Sequence, residues 1–269
     1  MISDFNIEPG VLAHHCAQAG LIAKAAFYYR MAAERSIERA AITETRMQLR
    51  RGLAFAANLP EGLKRDELEA ELLLALAIVL QTTESMANAK AGQLFSRATD
   101  ASRKLARPKL VARALWGQFT SVLVRGEVLA AQALAKQLLD LAQASDEVNM
   151  QMAARAAMGI ALYYQGHFDD AREHLTIQQA ILGSQFEDVG LDWRTTTAGP
   201  AFLALTLACL GYPEQAAIQL DRAVELARWK GSFALAYSLS ISVRVLIVLR
   251  NEEGLREHAA RLEIGRAHV

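Results

Sequence analysis

Residues 211–227, GYPEQAAIQLDRAVELA, carry the spacing that decides the fold of this 269-residue chain. Gly211 is followed by Ala216, Leu220 and Ala223, at steps of five, four and three residues. On a helix these three side chains share one face. The alanines allow a partner helix to approach closely, and Leu220 fills the space between their methyl groups. The stretch therefore predicts a helix that begins after a glycine turn and packs against a neighbour.

The same spacing recurs along the chain, complete in one further place and altered in three. The positions are Gly20, Ala25, Tyr29 and Ala32; Gly126, Ala131, Ala135 and Leu138; Gly166, Ala171, Leu175 and Gln178; and the degenerate Asn251 and Arg256. The turn positions 126, 166, 211 and 251 are 40, 45 and 40 residues apart. A recurring unit of two helices indicates a helical solenoid, with a left-handed residue closing the first helix of each unit.

The composition agrees with an all-α fold. Hydrophobic residues make up 52% of the chain and charged residues 22%, which is typical of a globular protein. The sequence contains no alternation of β-branched residues long enough to predict a strand. Each of the five prolines is expected near the start of a helix or just after its end. They are Pro9, Pro60, Pro108, Pro200 and Pro213.

Charge and cysteine content limit the classes of function. The chain has 29 basic and 29 acidic residues, and this balance argues against general binding of nucleic acid or of an anionic membrane. Cys16 and Cys209 show no CxxC spacing and are predicted to be buried free thiols in a reducing compartment. The first basic residue is Lys24, and the apolar runs 72–80 and 198–210 are shorter than the ~20 residues that span a bilayer. We expect a cytoplasmic protein.

No arrangement of residues predicts catalysis, a metal site or a cofactor. The sequence lacks the GxxxxGK[ST] motif of a phosphate-binding loop and the GxSxG motif of a hydrolase. Adjacent side chains such as His14 and His15 point about 100° apart on a helix. His167 and His174 would lie about 10 Å apart along one. Neither pair suits a single zinc ion, so ordinary packed or exposed histidines are expected.

Two sets of residues are candidates for binding a partner. The first is Trp193 and Arg194, in residues 183–200, which are predicted to form a long loop that also holds Ser184 and Thr195–Thr197. Long loops in compact helical arrays are often functional. Alternatively, Trp193 packs beneath the loop. An enzymatic function would need a site in this loop.

The second set lies late in the first helices of the repeat units, which line the inner surface of a curved solenoid. Its members are Gln118, Arg125, Tyr164 and Gln165. These side chains could equally be ordinary surface.

The glycine–alanine–bulky–alanine spacing resembles the tetratricopeptide repeat, in a long-helix form. Residues 11–60, 115–142 and 209–227 are also similar to a particular repeat region. It is the C-terminal part of bacterial signalling proteins that combine a class III adenylate/guanylate cyclase domain, a P-loop ATPase domain and helical repeats. The similarity covers most of residues 8–250.

The resemblance implies a right-handed α-solenoid of about six tetratricopeptide-like helix pairs over residues 1–262. It also implies a non-catalytic, regulatory module for a protein or peptide partner or for linked output domains, as a fragment of a larger cyclase–ATPase signalling protein. The alternatives are the sensor region of an ATP-dependent transcription regulator and a stand-alone adaptor. Residues 263–269, EIGRAHV, are predicted to be a non-native tail because they match a translated sequencing adapter.

Overall fold

The computed structural model describes residues 8–38, 41–184, 193–230 and 232–266. Within these ranges the chain forms α-helices and no strand. They are α1 (Pro9–Gln18), α2 (Ile22–Glu38), α3 (Ile42–Ala57), α4 (Leu63–Thr83), α5 (Ala89–Lys104), α6 (Pro108–Val124), α7 (Val128–Gln143), α8 (Val148–Tyr164), α9 (Phe168–Ser184), α10 (Trp193–Cys209), α11 (Pro213–Lys230), α12 (Ser232–Val248) and α13 (Glu252–Arg266). The all-α prediction is confirmed.

The helices belong to two compact units. The first unit, Met1–Glu127, contains α1 to α6, and the second, Val128–Val269, contains α7 to α13. In the first unit α4 contacts α3, α5 and α6, and its leucines form the core with Phe95 of α5. In the second unit α8, α10 and α12 contact one another in succession. On one side of that layer, α9 packs against α8 and α10, and α11 against α10 and α12.

Glycines close the helices where the sequence predicts them. Gly126, Gly166 and Gly211 have φ of 80°, 81° and 82°, in the left-handed region that side chains disfavour. At the α8–α9 turn, Gly166 N donates to Tyr163 O at 3.0 Å and His167 N donates to Leu162 O at 3.0 Å. These bonds satisfy carbonyls at the end of α8, as expected of such a cap.

The small residues admit a neighbouring helix as predicted. Ala216, Leu220 and Ala223 are all buried. In α8, a Cβ added to Gly159 would lie 2.5 Å from Leu175 Cγ and 3.2 Å from the carbonyl oxygen of Ala171. Since real Cβ atoms essentially never approach a heavy atom within 3.0 Å, the close approach of α9 depends on the missing side chain.

The last turn differs from its prediction. The left-handed residue is Arg250, with φ of 53°, and Asn251 instead caps α13 by accepting a hydrogen bond from Gly254 N at 3.0 Å. An asparagine oxygen is a favoured N-cap group, which explains its place at the start of a helix. Another non-glycine residue, Ala106 before α6, also has positive φ, at 51°.

The prediction of a loop over residues 183–200 is wrong for its described part. Helix α9 continues to Ser184 and α10 begins at Trp193, so Pro200 lies inside α10 rather than at its edge. Thr196 and Thr197 are helical and buried. A proline inside a helix removes one backbone hydrogen bond, and burial of α10 on most sides outweighs that loss. Residues 185–192 lie outside the described ranges.

Three smaller predictions can also be compared with the structure. Cys16 is half-buried and Cys209, the last residue of α10, is exposed, so the prediction of two buried thiols is wrong. Among the described helices, none combines the length and apolar character needed to cross a bilayer. Helix α13 extends to Arg266, into the predicted tail.

Candidate functional site

The two candidates in the first unit hydrogen bond within that unit. Gln118 is half-buried, and its Nε2 donates to Thr99 Oγ1 of α5 at 2.7 Å. Arg125 Nε donates to Glu127 Oε1 at 2.7 Å. That hydrogen bond to Arg125 lowers the pKa of the Glu127 carboxyl, and desolvation acts in the opposite direction. The structure therefore uses both predicted side chains internally.

The candidates in the second unit separate into three cases. Gln165 Nε2 donates to Ala161 O of its own helix at 3.3 Å. Tyr164, at the end of α8, is 41% exposed and presents its aromatic ring to solvent. Trp193 and Arg194 begin α10, but their side chains lie outside what the structure describes, so the anchor pair stays a prediction.

Arg244 of α12 is a further candidate, which was not predicted from the sequence. Its Nη1 donates to Tyr164 Oη at 2.8 Å. Its guanidinium carbon lies 5.4 Å from the ring centre of Phe202 and 5.9 Å from that of Tyr164. The side chain therefore reaches from α12 across Phe202 of α10 to the end of α8. Such cation–π contacts contribute about 0.5–2 kcal/mol each, more as water is excluded.

An aromatic cluster supports this arrangement. Tyr163 packs edge-on to Phe202 at 5.7 Å between ring centres, and against Phe168 of α9 at 5.5 Å. Tyr164 also contacts Phe202, at 5.9 Å. Phe202 is only 2% exposed, so it forms the floor beneath Arg244. We call Tyr163, Tyr164, Phe202, Cys209 and Arg244 the Arg244 surface.

A phenol and a thiol meet at one edge of the Arg244 surface. Tyr163 Oη lies 3.9 Å from Cys209 Sγ, a weak contact in which either atom can donate. Burial, followed by the neighbouring Cys209, raises the pKa of Tyr163 to about 12, while Arg244 acts in the opposite direction. Tyr163 is therefore a neutral phenol near pH 7, and the positive charge of the surface comes from Arg244.

A signal for Arg244 is present in the sequence. It is the only charged residue of α12, SFALAYSLSISVRVLIV. Tyr237, Arg244 and Val248 are spaced i, i+7 and i+11, which places them on one helix face. A lone arginine in an apolar helix is expected to have a hydrogen-bonding or charged partner, because burial of an unpaired charge is costly. The sequence does not reveal that the partner is Tyr164, which is 80 residues away.

The histidines do not assemble a catalytic or metal centre in the described ranges. His174 Nδ1 lies 3.3 Å from Arg155 Nη1, and burial, helped by Arg155, lowers the pKa of His174. His258 Nδ1 lies 2.7 Å from Ser242 Oγ. Within the described residues, no group of three or more His, Cys, Asp or Glu side chains could hold a metal ion.

No protein-family model and no curated protein matches the chain. Solved structures do. The apo form of RapI has a TM-score of 0.65 and 12% identity, over 88% of this chain and 81% of RapI. BtubC (BKLC) from P. vanneervenii has a TM-score of 0.64 and 14% identity, over 83% of this chain and 90% of BtubC. A Rap protein complexed with Competence and Sporulation Factor has a TM-score of 0.63 and 12% identity, over 90% and 75%.

The fold is a tetratricopeptide-like α-solenoid. This agrees with the predicted fold class and with the resemblance to tetratricopeptide repeats. At these identities the likeness concerns the fold alone. None of the structures named above links the chain to cyclase or P-loop ATPase proteins.

Proposed function

We propose that this chain is a non-catalytic protein-interaction and regulatory module, whose partner is a protein or peptide segment that binds the Arg244 surface. The observation that carries the proposal is the position of Arg244 and the exposed Tyr164 over a buried Phe202 floor, on three successive helices of one layer. Arginine and tyrosine are among the residue types that dominate binding energy at protein interfaces, because each combines a large contact area with hydrogen-bonding groups.

The likeness of folds supports a binding function in a second way. One of the similar structures, a Rap protein, is complexed with Competence and Sporulation Factor. An array of helix pairs offers an extended surface on which a partner can lie. We therefore extend a partner-binding role to this chain, in place of an active site.

The proposal is tested by a photo-crosslinking amino acid at position 164. The matched control position is Leu129 of α7, in the same unit and 76% exposed. In cells of the organism that carries the gene, we expect discrete protein adducts from position 164 that are absent from position 129. Identical adducts from both positions, or no adduct from position 164, would contradict the proposal.

The larger protein around this module is a separate part of the proposal and rests on the sequence resemblance. We propose that the natural protein joins these repeats to cyclase and P-loop ATPase domains and acts in the cytoplasm. The alternatives remain a transcription-regulator sensor and a stand-alone adaptor. The DNA that flanks the reading frame decides: a frame that continues into a P-loop and a cyclase domain supports the proposal. A helix-turn-helix domain favours the regulator, and bracketing start and stop signals favour the adaptor.

A further inference from the structure

We infer that the partner segment presents an Asp or Glu side chain to Arg244, with an apolar side chain beside it against Tyr164. The inference rests on the proposed function and names the chemistry of the ligand at the same surface.

The first argument is the unused capacity of the guanidinium. Arg244 has five N–H donors, and Nη1 is bonded to Tyr164 Oη. No carboxylate in the described parts of the chain pairs with Arg244. A planar guanidinium with free donors binds a carboxylate through two parallel hydrogen bonds, and such charge-assisted bonds are about twice as strong as neutral ones.

The second argument is the support of Arg244 by aromatic rings. Phe202 and Tyr164 lie within 6 Å of the guanidinium carbon and exclude water from one side of it. Lower local polarity strengthens an ionic hydrogen bond. The rings also hold the guanidinium in place, so less side-chain entropy is lost when a ligand binds.

The third argument is the charge environment. Burial chiefly raises the pKa values of Tyr163 and Tyr237, and Arg244 acts in the opposite direction at both phenols. Arg244 is thus the positive charge of this surface, and within the described residues no carboxylate is paired with it. That charge favours both the association and the register of an arriving acidic side chain.

A second arginine in the same unit provides a matched contrast. Arg172 also lies over a tyrosine, with its guanidinium carbon 5.7 Å from the Tyr212 ring centre. Its Nη2 is 3.2 Å from Asp169 Oδ1, so this arginine is paired with a carboxylate of its own helix, whereas no described carboxylate pairs with Arg244. The protein thus shows the arrangement that we expect the partner to complete.

The geometry favours an internal acidic side chain over a chain-terminal carboxylate. Terminal carboxylates are typically captured by several backbone N–H groups in a nest. At the neighbouring turns those groups are used: Gly166 N donates to Tyr163 O, and Tyr212 N donates to Leu207 O. The guanidinium of Arg244 is the charged donor at this surface, and it suits a single side-chain carboxylate.

The test is selection from a phage-displayed random peptide library on the whole chain. The displayed segments are joined at their C-terminus, so they offer side-chain carboxylates only. We expect the selected peptides to be enriched in Asp or Glu. Synthesised as acetylated amides, they should bind Arg244→Gln at least tenfold more weakly than the unaltered protein. Changing the peptide acid to its amide should cause a similar loss, and the two changes together should cost little more than one. The control variant Arg172→Gln should retain affinity within about twofold.

Removal of the Tyr164 hydroxyl distinguishes a binding role of Arg244 from a purely structural one. Tyr164→Phe removes the internal acceptor of Arg244 and keeps the ring, so peptide affinity should stay the same or rise. If Arg244 served only to brace α12 against α8, Tyr164→Phe would weaken binding as much as Arg244→Gln. Equal thermal midpoints of the variants, followed by circular dichroism, exclude loss of folding as the cause.

The remaining outcomes distinguish this inference from the proposed function. Peptides that lose affinity with Tyr164→Ala but bind Arg244→Gln normally overturn the acidic ligand and leave the surface intact as a binding site. A selection that yields no peptide sensitive to Tyr164→Ala counts against both. Peptides that need a free C-terminus, tested as acids and amides of acid-free sequences, would overturn the choice of a side-chain carboxylate.

Discussion

The first unit buries polar side chains against α6, whereas the second unit leaves an arginine and a tyrosine at the surface of α8 and α12. In the first unit, Gln81 of α4 is 3% exposed, and its Nε2 lies 2.8 Å from Thr120 Oγ1, 3.1 Å from Ser121 Oγ and 3.2 Å from Gly117 O. In the second unit, Arg244 contacts rings and one hydroxyl and remains partly exposed.

This difference distinguishes polar side chains that stabilise the fold from polar side chains that are available for binding. A buried amide without partners costs about 1–3 kcal/mol, so Gln81 stabilises the fold by being satisfied inside it. A partly exposed guanidinium keeps much of its hydration and has little effect on stability. Its free donors are available to another molecule. The polar groups around α6 therefore belong to the fold, whereas we propose that those of the Arg244 surface serve a partner.

The largest effect is expected where α6 is most tightly packed. A Cβ at Gly117 would lie less than 3.0 Å from the ring of Phe95, which is fully buried. Gly117→Ala should therefore lower the free energy of unfolding by about 3 kcal/mol, in urea denaturation. The control is Gly92→Ala in α5, where the nearest atom is a flexible Arg125 nitrogen at 3.6 Å. It should stabilise slightly, since alanine favours a helix by about 1 kcal/mol over glycine. Equal effects of the two would refute the packing argument.

The next effect tests the contrast between Gln81 and Arg244 directly. Gln81→Leu keeps the size of the side chain but leaves the Gly117 carbonyl and the Ser121 hydroxyl without this donor. We expect a loss of about 2 kcal/mol in the free energy of unfolding. Arg244→Gln should cost about 1 kcal/mol or less, as expected for the loss of partly exposed cation–π contacts. A loss at Arg244 as large as that at Gln81 would make Arg244 a structural residue and remove the distinction.

The turns allow a smaller test within the second unit. Gly166→Ala places a Cβ on a left-handed residue and should cost about 1 kcal/mol. Arg250 already carries that strain, so Arg250→Gly should stabilise by about 0.5 kcal/mol once the extra backbone entropy of glycine is subtracted. Thermal midpoints of both variants should therefore shift in opposite directions. Shifts of the same sign would contradict the assignment of Arg250 to the left-handed position.

The smallest effect is a pH dependence that arises in the second unit. Burial lowers the pKa of His174, and the positive charge of Arg155 lowers it further, while Glu173 and Asp170 raise it. Burial also lowers the pKa of His258, helped by Arg261, while Glu257 and Asp221 raise it. Below pH 6.5 the unfolded chain therefore binds more protons than the folded one, and stability falls as the pH falls through that region. The double variant His174→Gln, His258→Gln should show a weaker dependence of the thermal midpoint on pH between pH 7.5 and 5. An unchanged slope would exclude these histidines.

Much of the fold could be predicted from the sequence because its determinants are local. Gly126, Gly166 and Gly211 mark their turns, since few other residues adopt positive φ without strain. Ala106 and Arg250 adopt it too, at turns closed by backbone hydrogen bonds, and local propensity gives no sign of them. Pro200 was wrongly predicted to lie near a helix end, because tertiary burial of α10 overrides the preference of proline for helix edges.

The candidate site was harder to predict because it depends on distant contacts. Tyr164 was identified by its place late in a first helix. Arg244 was missed because its role comes from Phe202 and Tyr164, which lie on other helices. Gln118 and Arg125 shared the sequence position of site residues, but Thr99 and Glu127 bind their side chains. Position along a repeat selects candidates, and the neighbours across helices decide among them.

The contact between Gln178 of α9 and Gly199 of α10 makes the order of substitutions at these two positions matter. Gln178 stands where the repeat spacing has alanine, and a Cβ on Gly199 would collide with its side-chain amide. Replacing Gly199 by alanine first would drive that collision into a buried position, whereas shortening Gln178 first removes the colliding amide and gives up the hydrogen bond that Gln179 Nε2 donates to Gln178 Oε1 at 2.9 Å. Alanine at position 199 should therefore destabilise the protein less once residue 178 has been shortened than when Gln178 is still present.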